Sequence, residues 1–420
     1  MHTPLTEAQR RLSERFLRYV AFPTMSDESS ETSPSTAKQL ALSAALVREL
    51  QEIGLTDARL DEYGYVYATL PANTDAPVPA IGLISHVDTS DAASDTDIHP
   101  AVVLYAGGDL LLNTEKQIAM TLTDYPYLAD FAGKHLIVTD GTTLLGADDK
   151  AGIAEIMTAL EDLQHSDAPH GKVCVAFTPD EEIGRGTAHF DLAHFGADYA
   201  YTVDGGFLGS LECECFHAAS AKLTFHGVSI HPGSAKGKMK NALLMAMEYQ
   251  ALLPADETPA TTEGYEGFYH LCDMRGEVET ATMSYLIRDH DRAKFEARKQ
   301  KMQDCAAELA RRYGQGSVEL VIRDSYRNMK EAIDRAPYTV TRAKAAMEKC
   351  GVVPRMEPIR GGTDGAALSF LGLPCPNLCT GGGNFHSRFE FIPVEDMATV
   401  TEILKTILWD AAHLPSASDK

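Results

Sequence analysis

The residues best able to do chemistry sit in five short stretches. Asp180, Glu181 and Glu182 follow one another just after the apolar run 173–177. Adjacent carboxylates at the end of a buried strand repel, and cannot all stay ionised unless a cation or solvent compensates. A solvated acidic turn is the plain alternative. His86 and Asp88 end the apolar run 80–85 and stand two residues apart, so on a strand they point the same way. His86 could bind a metal while Asp88 holds its ring in one tautomer and orientation; a core histidine bonded to a nearby aspartate reads equally simply. Asp148 and Asp149 open a helical pattern, where acidic side chains favour the helix dipole. A carboxylate fixed there can also bridge two cations. Asp204 precedes Gly205 and Gly206 at the end of the run 198–203, and the glycine-rich stretch 381–383 leads through Asn384 and Phe385 to His386.

Elements that alternate strand and helix must hold these side chains. Apolar periodicity predicts helices over 7–20 and 37–53, the second ending at Gly54 as a cap. Strands follow at 58–62, 65–70, 80–85, 136–138, 173–177 and 198–203, with a helix from Asp148 to about residue 160. Such alternation implies a mostly parallel sheet with helices on both faces. In parallel sheets ligands bind outside the carboxyl ends of the strands. His86, Asp148, Glu182, Asp204 and His386 all occupy strand ends or the loops after them. Residues 26–35 form a Ser/Thr/Glu-rich loop, and 91–135 read as an insertion of mixed turns and short strands.

The middle of the chain differs. Strands at 220–226, 268–274, 282–287 and 317–322, with helices at 241–252 and 292–313, give the order βαββαβ of a ferredoxin-like α+β domain. The expected organisation is a catalytic α/β domain over 1–215, an inserted lid domain over 216–326, and a return to the first domain over 327–420. The return carries a helix at 337–349, the loop 360–365 and a closing helix at 395–412. The tail 415–420 is expected to be disordered.

The length of 420 residues suits about two domains. Thirty-seven Lys and Arg against 60 Asp and Glu give a charge of −23, which argues against binding nucleic acid or an anionic membrane by general electrostatics. Eight cysteines lack paired Cys-x-x-Cys spacing, so a zinc ribbon is not indicated. No secretory leader or span of ~20 apolar residues is visible. A reduced, cytoplasmic protein is expected.

Several stretches together carry a resemblance. They are Ile84-Ser85-His86-Val87-Asp88-Thr89, Leu145-Gly146-Ala147-Asp148-Asp149-Lys150-Ala151-Gly152 and Phe177-Thr178-Pro179-Asp180-Glu181-Glu182. Tyr201-Thr202-Val203-Asp204-Gly205-Gly206, His231-Pro232-Gly233, Arg360-Gly361-Gly362-Thr363-Asp364-Gly365 and the segment 261–269 belong with them. The chain resembles the dinuclear zinc exopeptidases, a family of aminopeptidases, carboxypeptidases, dipeptidases and deacylases. The resemblance runs along nearly the whole chain and is closest to the tripeptide aminopeptidases. Where an aromatic is expected at 383, this chain has glycine.

The resemblance implies two Zn2+ ions per subunit. Asp148 would bridge them, His86 and Asp204 completing one set and Glu182 and His386 the other. Glu181 would be the general base and Asp88 the partner of His86. Imidazole and carboxylate suit zinc, and two ions about 3.5–4 Å apart can polarise a scissile carbonyl together. His231, from the inserted domain, would hold the developing oxyanion; a turn histidine before Pro232 is its plain alternative. Arg288 would take the substrate's C-terminal carboxylate, against a surface salt bridge with Asp289 or Asp291. Asn241, Arg360 and Thr363 would line the pocket, although Asn241 also fits a helix cap. Domain closure would bring His231 and Arg288 to the metal pair. In dimeric relatives the histidine comes from the partner, so a homodimer through the lid domain is compatible.

A tripeptide aminopeptidase is therefore expected. A dipeptidase, a carboxypeptidase or an N-acyl amino acid deacylase would use the same chemistry. A non-catalytic peptide-binding protein would be expected to lack the base or a ligand, and none is missing. A dinuclear phosphohydrolase lacks a convincing basic phosphate clamp.

Overall fold

Unbroken apolar runs become the buried centre of an eight-stranded sheet. In the computed structural model, which describes residues 4–413, the strand order is Arg59–Leu60, Val66–Leu70, Val173–Thr178, Ile81–His86, Tyr199–Gly205, Asn377–Cys379, Ser210–Glu212 and Arg355–Met356. The four strands from Val173–Thr178 to Asn377–Cys379 are mutually parallel. They are covered on both faces, so they read as continuous hydrophobic runs and not as alternations. Val66–Leu70 and Ser210–Glu212 pair antiparallel with this centre, which confines the expected parallel layout to the middle of a mixed sheet. The tail 415–420, expected to be disordered, lies outside the described residues.

The long helices cover one face. Glu7–Val20, Gln39–Ile53, Ala147–Gln164, Pro337–Lys349 and Val394–Ala411 bury residues such as Phe16, Leu46, Ile156, Met347 and Leu404 against Leu83, Val175, Val203 and Leu378. Among the described residues the opposite face carries the short helices Leu192–Phe195 and Asp364–Phe370, whose Phe195 and Leu368 pack with Ile84, Ala176 and Ala200. The segment 91–135 contains strands Ala101–Leu104, Leu110–Asn113 and Ile118–Met120 and the 3-10 helix Pro126–Phe131. It builds its own apolar cluster from Tyr105, Met120, Leu128 and Phe131 with Leu136, Val138 and Phe391.

Residues 4–213, 331–357 and 363–413 form one compact unit, and 214–330 with 358–362 a second. The second unit has strands His217–His226, Phe268–Gly276, Thr280–Asp289 and Val318–Tyr326 and helices Ala242–Leu252 and Arg292–Tyr313, in the order βαββαβ. All its strand pairs are antiparallel. One sheet face buries Leu223, Phe225, Met283 and Ile287 under Met245, Tyr249, Phe295 and Met302 of the helices. The piece 358–362, expected with the returning chain, belongs here for a physical reason. Its Arg360 guanidinium donates to the carbonyls of Gly264 (2.7 Å) and Glu266 (3.0 Å), and Ile359 N–H donates to Glu214 O (2.9 Å). Among the described residues no helix is long and apolar enough to cross a membrane.

One acid of the first unit is buried and makes its stability depend on pH. Glu155, inside the helix Ala147–Gln164, is fully buried, and neither carboxyl oxygen has a hydrogen-bond partner among the described residues. Burial first, then Asp149 and Asp396, push its pKa well above the ordinary value of 4.5. The folded state therefore holds this proton more tightly than the unfolded chain. The stability it lends is complete below the unfolded pKa and is lost as pH rises toward the folded one. Glu155→Gln removes that titration. The variant's Tm relative to the parent is expected to rise from about pH 5 to about pH 8; parallel Tm curves over that range would contradict the assignment.

Candidate metal centre

Five of the side chains singled out by type meet at the carboxyl ends of the central strands. Ile84 and Thr202 are partners across two parallel strands; two residues further on, His86 and Asp204 project from the same sheet face. His86 Nε2 lies 2.9 Å from Asp148 Oδ1 and 3.4 Å from Asp204 Oδ1. His386 Nε2 lies 3.2 Å from Asp148 Oδ2 and 2.7 Å from Glu182 Oε2. Asp148 thus turns one carboxylate oxygen to each histidine. Within each group, His86–Asp148–Asp204 and Asp148–Glu182–His386, the potential ligand atoms lie within 4.8 Å of one another.

Buried polar clamps place these candidate ligands. Glu390, which the sequence reading missed, accepts hydrogen bonds from the backbone N–H groups of Leu145 (3.0 Å), Gly146 (2.7 Å) and Asp148 (2.8 Å). Gly146 stands at φ 78, a left-handed conformation that costs glycine little. The acidic turn is held from two sides. Asp180, at φ 60, accepts from Ser35 N–H (2.7 Å), Ser35 Oγ (2.5 Å) and Gln39 Nε2 (2.6 Å). Part of the polar loop 26–35 is therefore buried structure. The Asp88 carboxylate accepts from Glu181 N–H (2.9 Å) and Glu182 N–H (3.2 Å). His86 Nδ1 lies 3.0 Å from the Asp88 backbone oxygen and 3.4 Å from its carboxylate. Asp88 thus serves both the histidine and the acidic turn. Asp149 is turned away from the cluster and accepts from the Ser85 hydroxyl and His86 N–H.

The charges of this cluster suit a metal. Burial, then Asp148, pushes the Glu182 carboxyl up to about 7. Burial, with Asp148 adding to it against His86, pushes Asp204 up to about 6. Hydrogen bonds to Asp148 and Glu182 raise His386 to about 11. Burial alone would lower His86, but Asp204, Asp148 and Asp88 outweigh it and raise its pKa. Carboxylates and imidazoles this close are held together by protons that divalent cations would displace. Glu182 Oε1 is buried with no hydrogen-bond partner among the described residues. The donor set, imidazole and carboxylate alone, fits zinc. Glu181 stands beside this set without belonging to either ligand group. Burial, followed by Asp204, raises its pKa well above the ordinary value.

The other expected site residues lie elsewhere. His231, Asn241, Arg288 and Arg360 belong to the second unit, and Thr363 to the first. His231 is exposed and its Nδ1 accepts from Gly233 N–H at 3.1 Å. Asn241 caps the helix Ala242–Leu252 through Leu243 N–H (3.0 Å) and Leu244 N–H (3.4 Å), the alternative its position allowed. The Arg288 guanidinium donates to the Ile287 carbonyl (3.1 Å) and lies 5.3 Å from the Tyr326 ring centre. Asp289, offered as its salt-bridge partner, pairs instead with Arg298 at 2.8 Å. Arg360 also stacks over Phe216 and Phe268. Thr363 caps the helix Asp364–Phe370 and donates to Asn377 Oδ1 at 3.1 Å. Its neighbour Asp364 is a buried carboxyl that the reading passed over. Burial pushes it up to about 7, and Thr178 Oγ1 donates to it at 2.8 Å.

Residues 131–410 match the profile described as Peptidase family M20/M25/M40. The chain is similar to Peptidase T of Desulfitobacterium hafniense, with 56% identity over 397 residues, 94% of this chain and 97% of that protein. The crystal structure of aminopeptidase PepT from Bacillus cereus superposes with a TM-score of 0.75 at 25% identity, covering 96% of this chain and 99% of that one. A dinuclear metal binding peptidase from the M20 family of Bacillus subtilis shares the fold at 13% identity and a TM-score of 0.62, over 97% and 99% of the two chains.

Proposed function

The chain belongs to peptidase family M20/M25/M40, and from that membership we propose that it is an aminopeptidase that releases the N-terminal residue of tripeptides. The observation that carries this reading is the division of the Asp148 carboxylate between two histidine–carboxylate groups, with Glu181 alongside. The full-length likeness to Peptidase T supports the substrate class. We infer two zinc ions per subunit, one held by His86, Asp148 and Asp204, the other by Asp148, Glu182 and His386.

Bound zinc supplies Lewis acidity, polarising the scissile carbonyl and making the attacking water more acidic. The protein's own part is proton transfer and alignment. Glu181 takes the water's proton as the carbonyl carbon is attacked, then gives it to the nitrogen of the departing dipeptide. A base with a raised pKa is better matched to that double role near neutrality. Asp88 keeps Glu181 in place through the backbone N–H it accepts. For two residues of the second unit, His231 and Arg288, we propose the roles the family resemblance implies, oxyanion stabilisation and recognition of the free C-terminal carboxylate. Arg288→Ala is expected to raise KM for tripeptides by about 10–100-fold, the worth of a charge-assisted hydrogen bond. C-terminally amidated peptides should change little; equal losses on both would contradict the role.

The free thiols Cys174, Cys215, Cys272, Cys305, Cys350, Cys375 and Cys379 fit the proposed cytoplasmic location. A homodimer through the second unit would use surface such as its strand Val318–Tyr326, which ends the sheet order among the described residues; sedimentation at several concentrations tests it. The experiment for the function is a peptide series with metal analysis: Met-Gly-Gly, its N-acetylated form and Met-Gly. Fastest release from Met-Gly-Gly is expected. Cleavage of the blocked peptide alone would overturn the aminopeptidase reading. Two bound zincs with no cleavage of any small peptide would favour a binding protein.

A further inference from the structure

Among the five ligands, His386 is the one that regular structure holds least. His86 and Asp204 stand on strands, Asp148 opens a helix, and Glu182 hangs from Asp88 by its backbone. His386 sits in a loop at φ 55, and its side chain is 53% exposed. Asn384, two residues before it, is at φ 58. Non-glycine residues rarely adopt this region, asparagine more readily than most. They persist there where the surroundings over-determine the backbone.

Here the surroundings do so. Gly383 and Phe391 exchange backbone hydrogen bonds at 3.0 and 3.1 Å, closing the loop. Both ends of the Asn384 amide are used: Nδ2 donates to the Phe389 carbonyl at 3.0 Å, and Oδ1 accepts from the Tyr127 hydroxyl. Tyr127 is carried by the 3-10 helix Pro126–Phe131, within the segment 91–135. Its ring packs against Phe207, with centres 5.3 Å apart. Phe207 in turn fills the space beside Gly383, where an added Cβ would fall 2.2 Å from the ring. The aromatic expected at 383 is thus supplied from 207, and the loop follows the surface that Phe207 and Tyr127 make.

We propose that Tyr127, acting through Asn384, is the positioning residue for His386 and sets the affinity of the metal ion that His386 and Glu182 hold. The proposal rests on the dinuclear reading above and gives the segment 91–135 a role in it. Tyr127 belongs to neither ligand group. It fixes the orientation of the Asn384 amide, and the amide fixes the loop that aims the imidazole. Groups that orient metal ligands in this indirect way typically change affinity by about 10–100-fold when removed.

The test is competition of the full-length protein with a chromogenic zinc chelator, resolving two dissociation constants. Tyr127→Phe is expected to weaken one zinc step by about 10–100-fold and leave the other within about threefold. The metal-free Tm should stay near the parent's, and kcat should recover at high free zinc. Asn384→Gly keeps the left-handed backbone but has no amide, and should show the same selective loss. Parent-like constants in both variants overturn the proposal, as does equal weakening of both steps, which marks a general structural role. If the parent binds two zincs but does not cleave Met-Gly-Gly, the peptidase reading fails while the clamp is still judged by the titration. A parent that binds a single zinc overturns both.

Discussion

Glu181→Ala is expected to keep both metal ions and lose about 10²–10⁴ in kcat, the usual worth of a general acid–base group. Three features lead there. Glu181 is outside both ligand groups, so its loss leaves the metal donors intact. Its hold on the fold is through backbone N–H to Asp88, which alanine preserves. Its pKa is raised by burial and by Asp204, as suits a group that must both take and return a proton. Steady-state kinetics with Met-Gly-Gly, alongside metal content, reads the effect. A variant that keeps two metals and a rate within about tenfold of the parent would show that another group moves the proton.

Asp148→Ala is expected to be the more severe change. Each oxygen of this carboxylate faces a different histidine, so one substitution removes a donor from both ions. Residues that merely orient ligands change affinity by about 10–100-fold, and loss of a shared ligand should exceed that for each ion. The two imidazoles would also lose the carboxylate that raises their pKa values. Their basic forms would become easier to reach, yet no single histidine–carboxylate pair could hold an ion as the trios do. Metal analysis after dialysis should find less than one ion per chain, with turnover at background. Retention of two tightly held ions would contradict a bridging role for Asp148.

Much of this candidate centre was legible in the sequence because the side chains that could hold metal stand where chain direction is fixed. The apolar runs before His86, Glu182 and Asp204 could only be buried strands, and residues just past such strands share one edge of the sheet. His386 was visible as the end of a glycine-rich loop. What could not be read were the clamps. Glu390 reaches Leu145 across 245 positions, Asp180 reaches Ser35 across 145, and Tyr127 reaches Asn384 across 257. A carboxylate or hydroxyl gives no local sign that its partners are distant backbone groups. The strands of 91–135 are three or four residues long and half-exposed, too short for a periodic pattern to register. The assignment of 358–362 to the second unit depends on the reach of Arg360 to residues 262–266, which no local property of that loop announces. Asn241 shows the opposite case: the cap role it has was one of the two readings its position allowed.

The most direct measurement of the central claim is anomalous diffraction at the zinc edge from crystals of the full chain grown with zinc. Two peaks about 3.5–4 Å apart are predicted, each about 2.0–2.2 Å from a different oxygen of Asp148. His86 and Asp204 should complete one, and Glu182 and His386 the other, with Glu181 bound to neither. A single peak, or two peaks that Asp148 does not join, would contradict it.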